Sequence, residues 1–147
     1  MKNERMIKIL LAIDGSEPSN RAIEAVARLA GQTRPLNVVL IHVRAHLSPL
    51  AGLPSATRGE IEQAQRREQD SLIAAALDHA RGCGLAIGTT RRAEGSPAAE
   101  IVAAAADCGA DQIVMGTRGQ GAIGRLFMGS TAQRVVQLAD VPVLLVK

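Results

Sequence analysis

The chain has no tryptophan, no tyrosine and one phenylalanine in 147 residues. Surfaces that bind single-stranded nucleic acid normally stack bases on aromatic rings, so this composition argues against that class. Charge of one sign is also scarce. The formal net charge is +3 with a pI near 9.4, and the lysines and arginines are scattered among acids rather than gathered into a block. No nucleic-acid partner is expected. The two cysteines, Cys83 and Cys108, stand far apart without a CxxC spacing. They suggest neither a zinc site nor a redox pair and read as small buried thiols. No apolar run reaches the roughly 20 residues of a membrane helix, so no membrane association is expected. The opening MKNERMIKILLAIDGSE puts charge before an apolar run, as a signal peptide does. That run is short, is interrupted by Lys8, and ends in Asp14-Gly15-Ser16 rather than a small-residue cleavage site. It reads as a strand, and the expected location is the cytoplasm.

What is present is a composition 47% hydrophobic and 21% charged, on a length that suits one compact domain spanning 1–147. Strand and helix signals take turns along it. MIKILLAI (6–13) and LNVVLIHV (36–43) are short, almost wholly apolar runs, as expected of strands covered on both faces. Between them Ser16 is placed to cap a helix, Pro18 suits its first turn, and apolar residues recur at helical spacing until Gly31. Residues 44–59, with two prolines and two glycines, read as a long loop. A helix is expected from Glu60 to about Arg81, stopped by Gly82 and Gly84. LAIGTTRRA (85–93) alternates like a less buried strand, and Ser96-Pro97 opens an alanine-rich helix. DQIVMG is a fourth strand. TAQRVVQLA is a last helix, with Ser130 and Gln133 at capping-box spacing, and VPVLLVK is a fifth strand.

Such alternation predicts an α/β fold: one doubly wound domain, a five-stranded parallel sheet of order 3-2-1-4-5 with helices on both faces. Ligands of such sheets bind beyond the carboxyl ends of the strands, where the winding reverses. In this order the reversal lies between strands one and four, so Asp14-Gly15-Ser16 faces Gly116-Thr117-Arg118-Gly119 across one crevice.

The segment after strand four, GTRGQGAIGRLFMGST, holds five glycines in sixteen positions. It is not a P-loop, because no lysine precedes a serine or threonine. GQGAIG matches the dinucleotide fingerprint, but that motif belongs after the first strand of a βαβ unit with an acid at the end of the next strand, and the candidate acid, Asp140, precedes that strand. What remains is Gly116-x2-Gly119-x9-Gly129-Ser130, ending at a helix start. Glycines permit close backbone approach, and a helix N-terminus offers unpaired N–H groups to an anion. On the glycines alone an anion cradle and a turn followed by an ordinary helix cap are equally good readings.

That glycine spacing, joined to LLAIDGSEPSNRAIEAV, to IHV and to GSPAAEIV, resembles the universal stress protein family, in its ATP-binding branch. The resemblance runs over essentially the whole chain and implies an adenine nucleotide in the crevice. It implies Asp14 at the ribose or at a hydrated Mg2+ ion, beside the plainer role of an Asx turn before the helix. It also implies the backbone of Val43 at the adenine edge, and Gly116, Gly119, Gly129, Ser130 and the Thr131 amide at the phosphates. Arg118 is a further candidate for the phosphates, and Arg125 another, although both read equally as solvent-facing. The resemblance further implies a homodimer paired through the terminal strand, Val141 to Lys147, which covers an apolar sheet edge.

Other candidates carry less. The loop at 44–59 stands on the ligand side, as a lid or a plain connection. His42 and His46, on one strand, are about 13 Å apart, too far for one metal ion. His79 reads as a surface or boundary residue. The function implied is regulatory, an ATP-binding stress-response protein. The alternatives are an enzyme that hydrolyses or transfers from ATP and a nucleotide-free dimerising scaffold. Against turnover, the loop after strand one, DGSEPS, lacks the SGG-type pyrophosphate loop of adenylating relatives. If the cradle reading holds, Gly119→Val blocks backbone approach and abolishes ATP binding while the circular dichroism spectrum stays that of the parent; unchanged ATP affinity in a binding titration would show the cradle to be misplaced.

Overall fold

The computed structural model describes residues 5–32, 35–46, 51–118 and 128–147. Among the described residues strands and helices alternate: β1 (Ile7–Ala12), α1 (Glu17–Ala30), β2 (Leu36–Ala45), α2 (Ser55–Gly82), β3 (Thr89–Gly95), α3 (Pro97–Cys108), β4 (Gln112–Gly116), α4 (Ser130–Leu138) and β5 (Val143–Val146). All strand pairs are parallel and the sheet order is β3-β2-β1-β4-β5, as the alternation predicts.

Side chains leave a strand alternately to its two faces, and the two cores follow that period. Ile9, Leu11, Val38, Leu40 and Val114 point to one face and pack on Ala22, Ile23 and Val26 of α1 and on Ile73, Ala76 and Ala80 of α2. Leu10, Val39, Ile41, Ile113 and Met115 point to the other, against Ala98, Ile101, Ala104 and Ala105 of α3 and Ala132 and Val135 of α4. The alanines of α3 add little bulk, so this helix can lie close on the strands. The central residues of strands β1, β2 and β4 are apolar because both of their faces are covered there.

Several boundaries differ from the sequence reading. Helix α2 begins at Ser55, so residues 55–59 of the expected loop are helical, while Arg44 and Ala45 belong to β2. Pro54 precedes the helix with φ −54°, a suitable entry, but Ser55-Ala56-Thr57-Arg58-Gly59 is exposed or half-buried and carries no apolar period to betray it. Strand β3 starts at Thr89 rather than Leu85. Leu85 instead closes α2, its N–H bonded to the Ala80 carbonyl at 2.9 Å and its side chain buried in the first core, with Gly84 at φ 75° making the reversal. Neither cysteine is buried as expected: Cys83 is exposed at the end of α2 and Cys108 is half-buried at the end of α3. Both stand past the buried positions of their helices.

Gly116 ends β4 against the start of α1. A Cβ built there would stand 2.8 Å from Pro18 Cβ and 2.9 Å from the Pro18 carbonyl carbon. Most of that contact is with backbone or a ring, which cannot swing aside. Gly116→Ala therefore pries β4 from α1 and destabilises the fold by about 1–3 kcal/mol, read from urea unfolding; a variant as stable as the parent would show that this approach is not constrained.

Candidate functional site

Strands β1 and β2 stay in register only to Ala12 opposite Ile41, after which the Ile13 N–H makes a last bond of 2.9 Å to the Ile41 carbonyl. β1 then turns away at Asp14, while β2 runs on to Ala45 with β3 beside it. The backbone of Ile41 faces β1, so by the two-residue period of a strand that of Val43 faces the same way, into the space β1 has left. On the opposite flank β4 ends at Gly116, and α4 begins at Ser130. The result is a cavity of about 710 Å³ whose walls include Asp14, His42, Val43, Gly116, Arg118, Gly129, Ser130 and Thr131.

Asp14 is held in a local network. Its Oδ1 accepts from the Ser16 N–H at 2.9 Å and from the Ser16 hydroxyl at 2.5 Å, and its own N–H donates to Ser19 Oγ at 3.1 Å. Ser16 also caps α1, its Oγ accepting from the Ser19 N–H at 3.3 Å. The Asx turn is thus a structural fact, and the residue it holds borders the cavity. Gly15, at φ 81°, is the left-handed residue that lets the chain pass from strand to cap.

The far wall is the start of α4. Gly129, not Ser130, is the N-cap; Ser130 is the first helical residue, and the Gln133 side chain reaches the Met128 carbonyl. The expected capping box does not form, because the Gly129 N–H is tied to the Thr117 carbonyl at 2.7 Å and shifts the helix start by one residue. The Gln133 N–H is the first to close an intrahelical bond, to Gly129. The N–H groups of Ser130, Thr131 and Ala132 therefore have no partner within the helix, and all three residues border the cavity. Arg118 borders it too, its carbonyl oxygen 3.3 Å from the Ser16 hydroxyl oxygen. Gly119 and Arg125 lie outside the described residues.

Helix α2 roofs the third side, a wall that the sequence reading missed. Gln69 is buried, and its Nε2 donates to the carbonyls of His42 and Ala93, both at 3.1 Å, which pins α2 over the ends of β2 and β3. Gln65, Glu68 and Leu72 line the cavity from the same helix. The signal was present: Gln69 falls on the stripe that continues as Ile73, Ala76 and Ala80, where an amide needs a partner. Arg44 adds a second tie, donating to Gln65 Oε1 at 3.1 Å and to the Glu94 carboxylate. Glu94 also meets His46 Nδ1 at 2.9 Å, and its pKa lies below the ordinary 4.5 because of the hydrogen bond with His46 and then that with Arg44. His79 stands apart, on Glu24 of α1 at 3.1 Å. Among the described residues no group of three potential metal-ligating side chains occurs, and no helix is long and apolar enough to cross a membrane.

The universal stress protein family model matches residues 6–147. The chain belongs to this family. It is 38% identical over 142 residues to a universal stress protein of Thermus aquaticus, a match covering 95% of this chain and 97% of that one. The solved structure of the protein MJ0577 has a TM-score of 0.81 at 26% identity, over 95% of this chain and 94% of that chain. The same fold recurs in a universal stress protein from Archaeoglobus fulgidus in complex with dAMP, with TM-score 0.65, 22% identity and coverage of 97% and 98%. It recurs in one in complex with cAMP, with TM-score 0.63, 23% identity and coverage of 96% of each chain.

Burial lowers the pKa of the His42 imidazole from its ordinary 6.5, and the negative charges of Asp14 and Glu68 oppose that only in part. The unfolded chain then takes up this proton at a higher pH than the folded one. The contribution is fully present above pH 6.5 and is lost as the pH falls from there toward the lower folded value. Urea midpoints measured from pH 8 to pH 5 are expected to fall below pH 6.5 in the parent and to fall less in His42→Leu; identical slopes would place His42 in contact with water.

Proposed function

We propose that this chain is an ATP-binding universal stress protein, a cytoplasmic regulator of one domain that holds an adenine nucleotide at the carboxyl ends of β1 and β4. The observation that carries the reading is the convergence on one cavity of three unlike elements: the Asp14 carboxylate, the Val43 backbone turned to the side that β1 has left, and the open N-terminus of α4. Each suits a different part of a nucleotide. Carboxylates accept from sugar hydroxyls, backbone N–H and C=O read a base edge, and a helix N-terminus takes phosphate. The complexes of fold relatives with dAMP and cAMP support the same ligand class.

In this reading Gly129, Ser130 and Thr131 hold phosphates together with Gly119, and Arg118 adds positive charge. Gly116 acts indirectly: its lack of a side chain lets β4 reach α1 and so sets the distance between the two walls. Asp14, already committed through Oδ1 to Ser16, meets Mg2+ through water rather than directly. The bound nucleotide biases the protein between states with different partner affinity, which requires that it bind one state better than the other. Turnover is not the purpose. A homodimer is part of the proposal. Beyond β5 the sheet has no further described strand, and Val136 and Leu138 of α4 are exposed beside it, which suits pairing through Val141 to Lys147 in a second copy.

The test is to denature freshly purified protein, identify released nucleotide by mass spectrometry, and then follow ATP over hours with the refilled protein. Retained ATP with negligible ADP formation is the expected result, and Asp14→Ala is expected to weaken ATP binding and its Mg2+ dependence. Rapid conversion would place the protein among enzymes, and absence of both bound nucleotide and ATP affinity would leave a dimerising scaffold.

A further inference from the structure

His42 lies on the α1 and α2 face of β2, 8% exposed, and borders the cavity. Its Nδ1 is buried with no hydrogen-bond partner among the described residues. Buried polar atoms are almost always satisfied, and one that is not costs the fold the desolvation of that group. The surroundings do not relieve it. Gln69 beside it spends its amide Nε2 on the His42 and Ala93 carbonyls, and Asp14 and Glu68 act on the ring through their charge. Nothing in the described packing needs an imidazole here, whereas Leu40, two residues earlier on the same face, is an ordinary core residue. A half-turn about the Cβ–Cγ bond carries Nδ1 from one edge of the ring to the other without moving the backbone, so the nitrogen can be presented to a ligand.

Strand order decides which part of the ligand it would meet. β2 is separated from β4 by β1, two interstrand spacings or roughly 10 Å from the strand that leads to the α4 cradle. A nucleotide with its phosphates at α4 brings its nucleoside, not its phosphates, to β2.

We infer that His42 is a ligand-contacting residue of this cavity, its imidazole hydrogen-bonding to the nucleoside part of the bound nucleotide. The inference rests on the proposed adenine nucleotide. It assigns His42 a share of the affinity for the nucleoside, because the position costs stability in the empty protein and is redeemed only when the ligand supplies the missing partner. A histidine kept for packing would behave in the opposite way.

His42→Leu and His42→Asn separate the two. Leucine fills the site without a polar atom, and asparagine restores one near the position of Nδ1. Melting temperatures of the empty proteins and dissociation constants for ATP, ADP and AMP by calorimetry are the readouts. His42→Leu is expected to melt at or above the parent's temperature, yet to bind all three nucleotides more weakly by a common factor of about ten, the loss of one hydrogen bond. His42→Asn recovers part of that factor. Parental affinities in His42→Leu would overturn the inference, as would a loss confined to ATP, which would put the contact at the phosphates. A lower melting temperature with undiminished binding would make His42 a packing residue. If the parent itself binds none of the three, the nucleotide reading fails before any substitution is made, and this inference falls with it.

Discussion

The structure depends on one mismatch in length: β2 outruns β1. Paired strands satisfy each other's backbone groups, and where β1 leaves at Asp14 the ladder loses one side for the last residues of β2. Because the crossover after β1 goes to the α1 face while α3 and α4 cover the other, the chain leaves β1 and β4 in diverging directions. Among the described residues the gap stays open as the cavity. The cavity is therefore a product of topology, and the sequence has only to furnish its walls with polar groups of the right kind.

Those walls are made by different physical means. At Asp14 a side chain is oriented by its own turn; at Val43 the backbone itself is turned to the opening; at α4 the donors are those that every helix leaves unpaired at its start. The roof is different again. α2 is fastened by polar contacts, Gln69 to two carbonyls and Arg44 to Gln65 and Glu94, where the rest of the fold relies on apolar packing.

How much of this was readable depended on whether a residue advertises its environment. β1, β2 and β4 carry apolar runs at their centres because they are covered on both faces, and alternation with helices leaves few sheet orders open, so the topology was legible. Asp14 and the region of Gly129 were legible as places, since chain reversals after strands draw on a few residue types. The start of α2 was not, because a helix without a buried face has no period to detect. Gln69 stood in plain view on an apolar stripe but looks like any polar helix residue unless its partners, the His42 and Ala93 carbonyls, are known to be adjacent. Gly116 was read for its openness to a ligand, whereas its tightest neighbour is Pro18. A lone sequence holds no distances between strands, and all of these depend on one.

Helix α2 is 28 residues long, yet its four buried residues all occur from Gln69 onward. The two halves of this single helix thus differ in what holds them: the C-terminal half is welded to the first core, and the N-terminal half rests on hydrogen bonds at the cavity rim. Opening free energy follows buried contact, so amide protection in the native state grades along the helix, lowest near Ser55 and highest near Ala80. Unwinding from the free end reaches Gln65 and Glu68 before it disturbs Ile73, which uncovers the roof without loosening the sheet. Entry to the cavity by this route is a matter of helix fraying, and it needs no hinge.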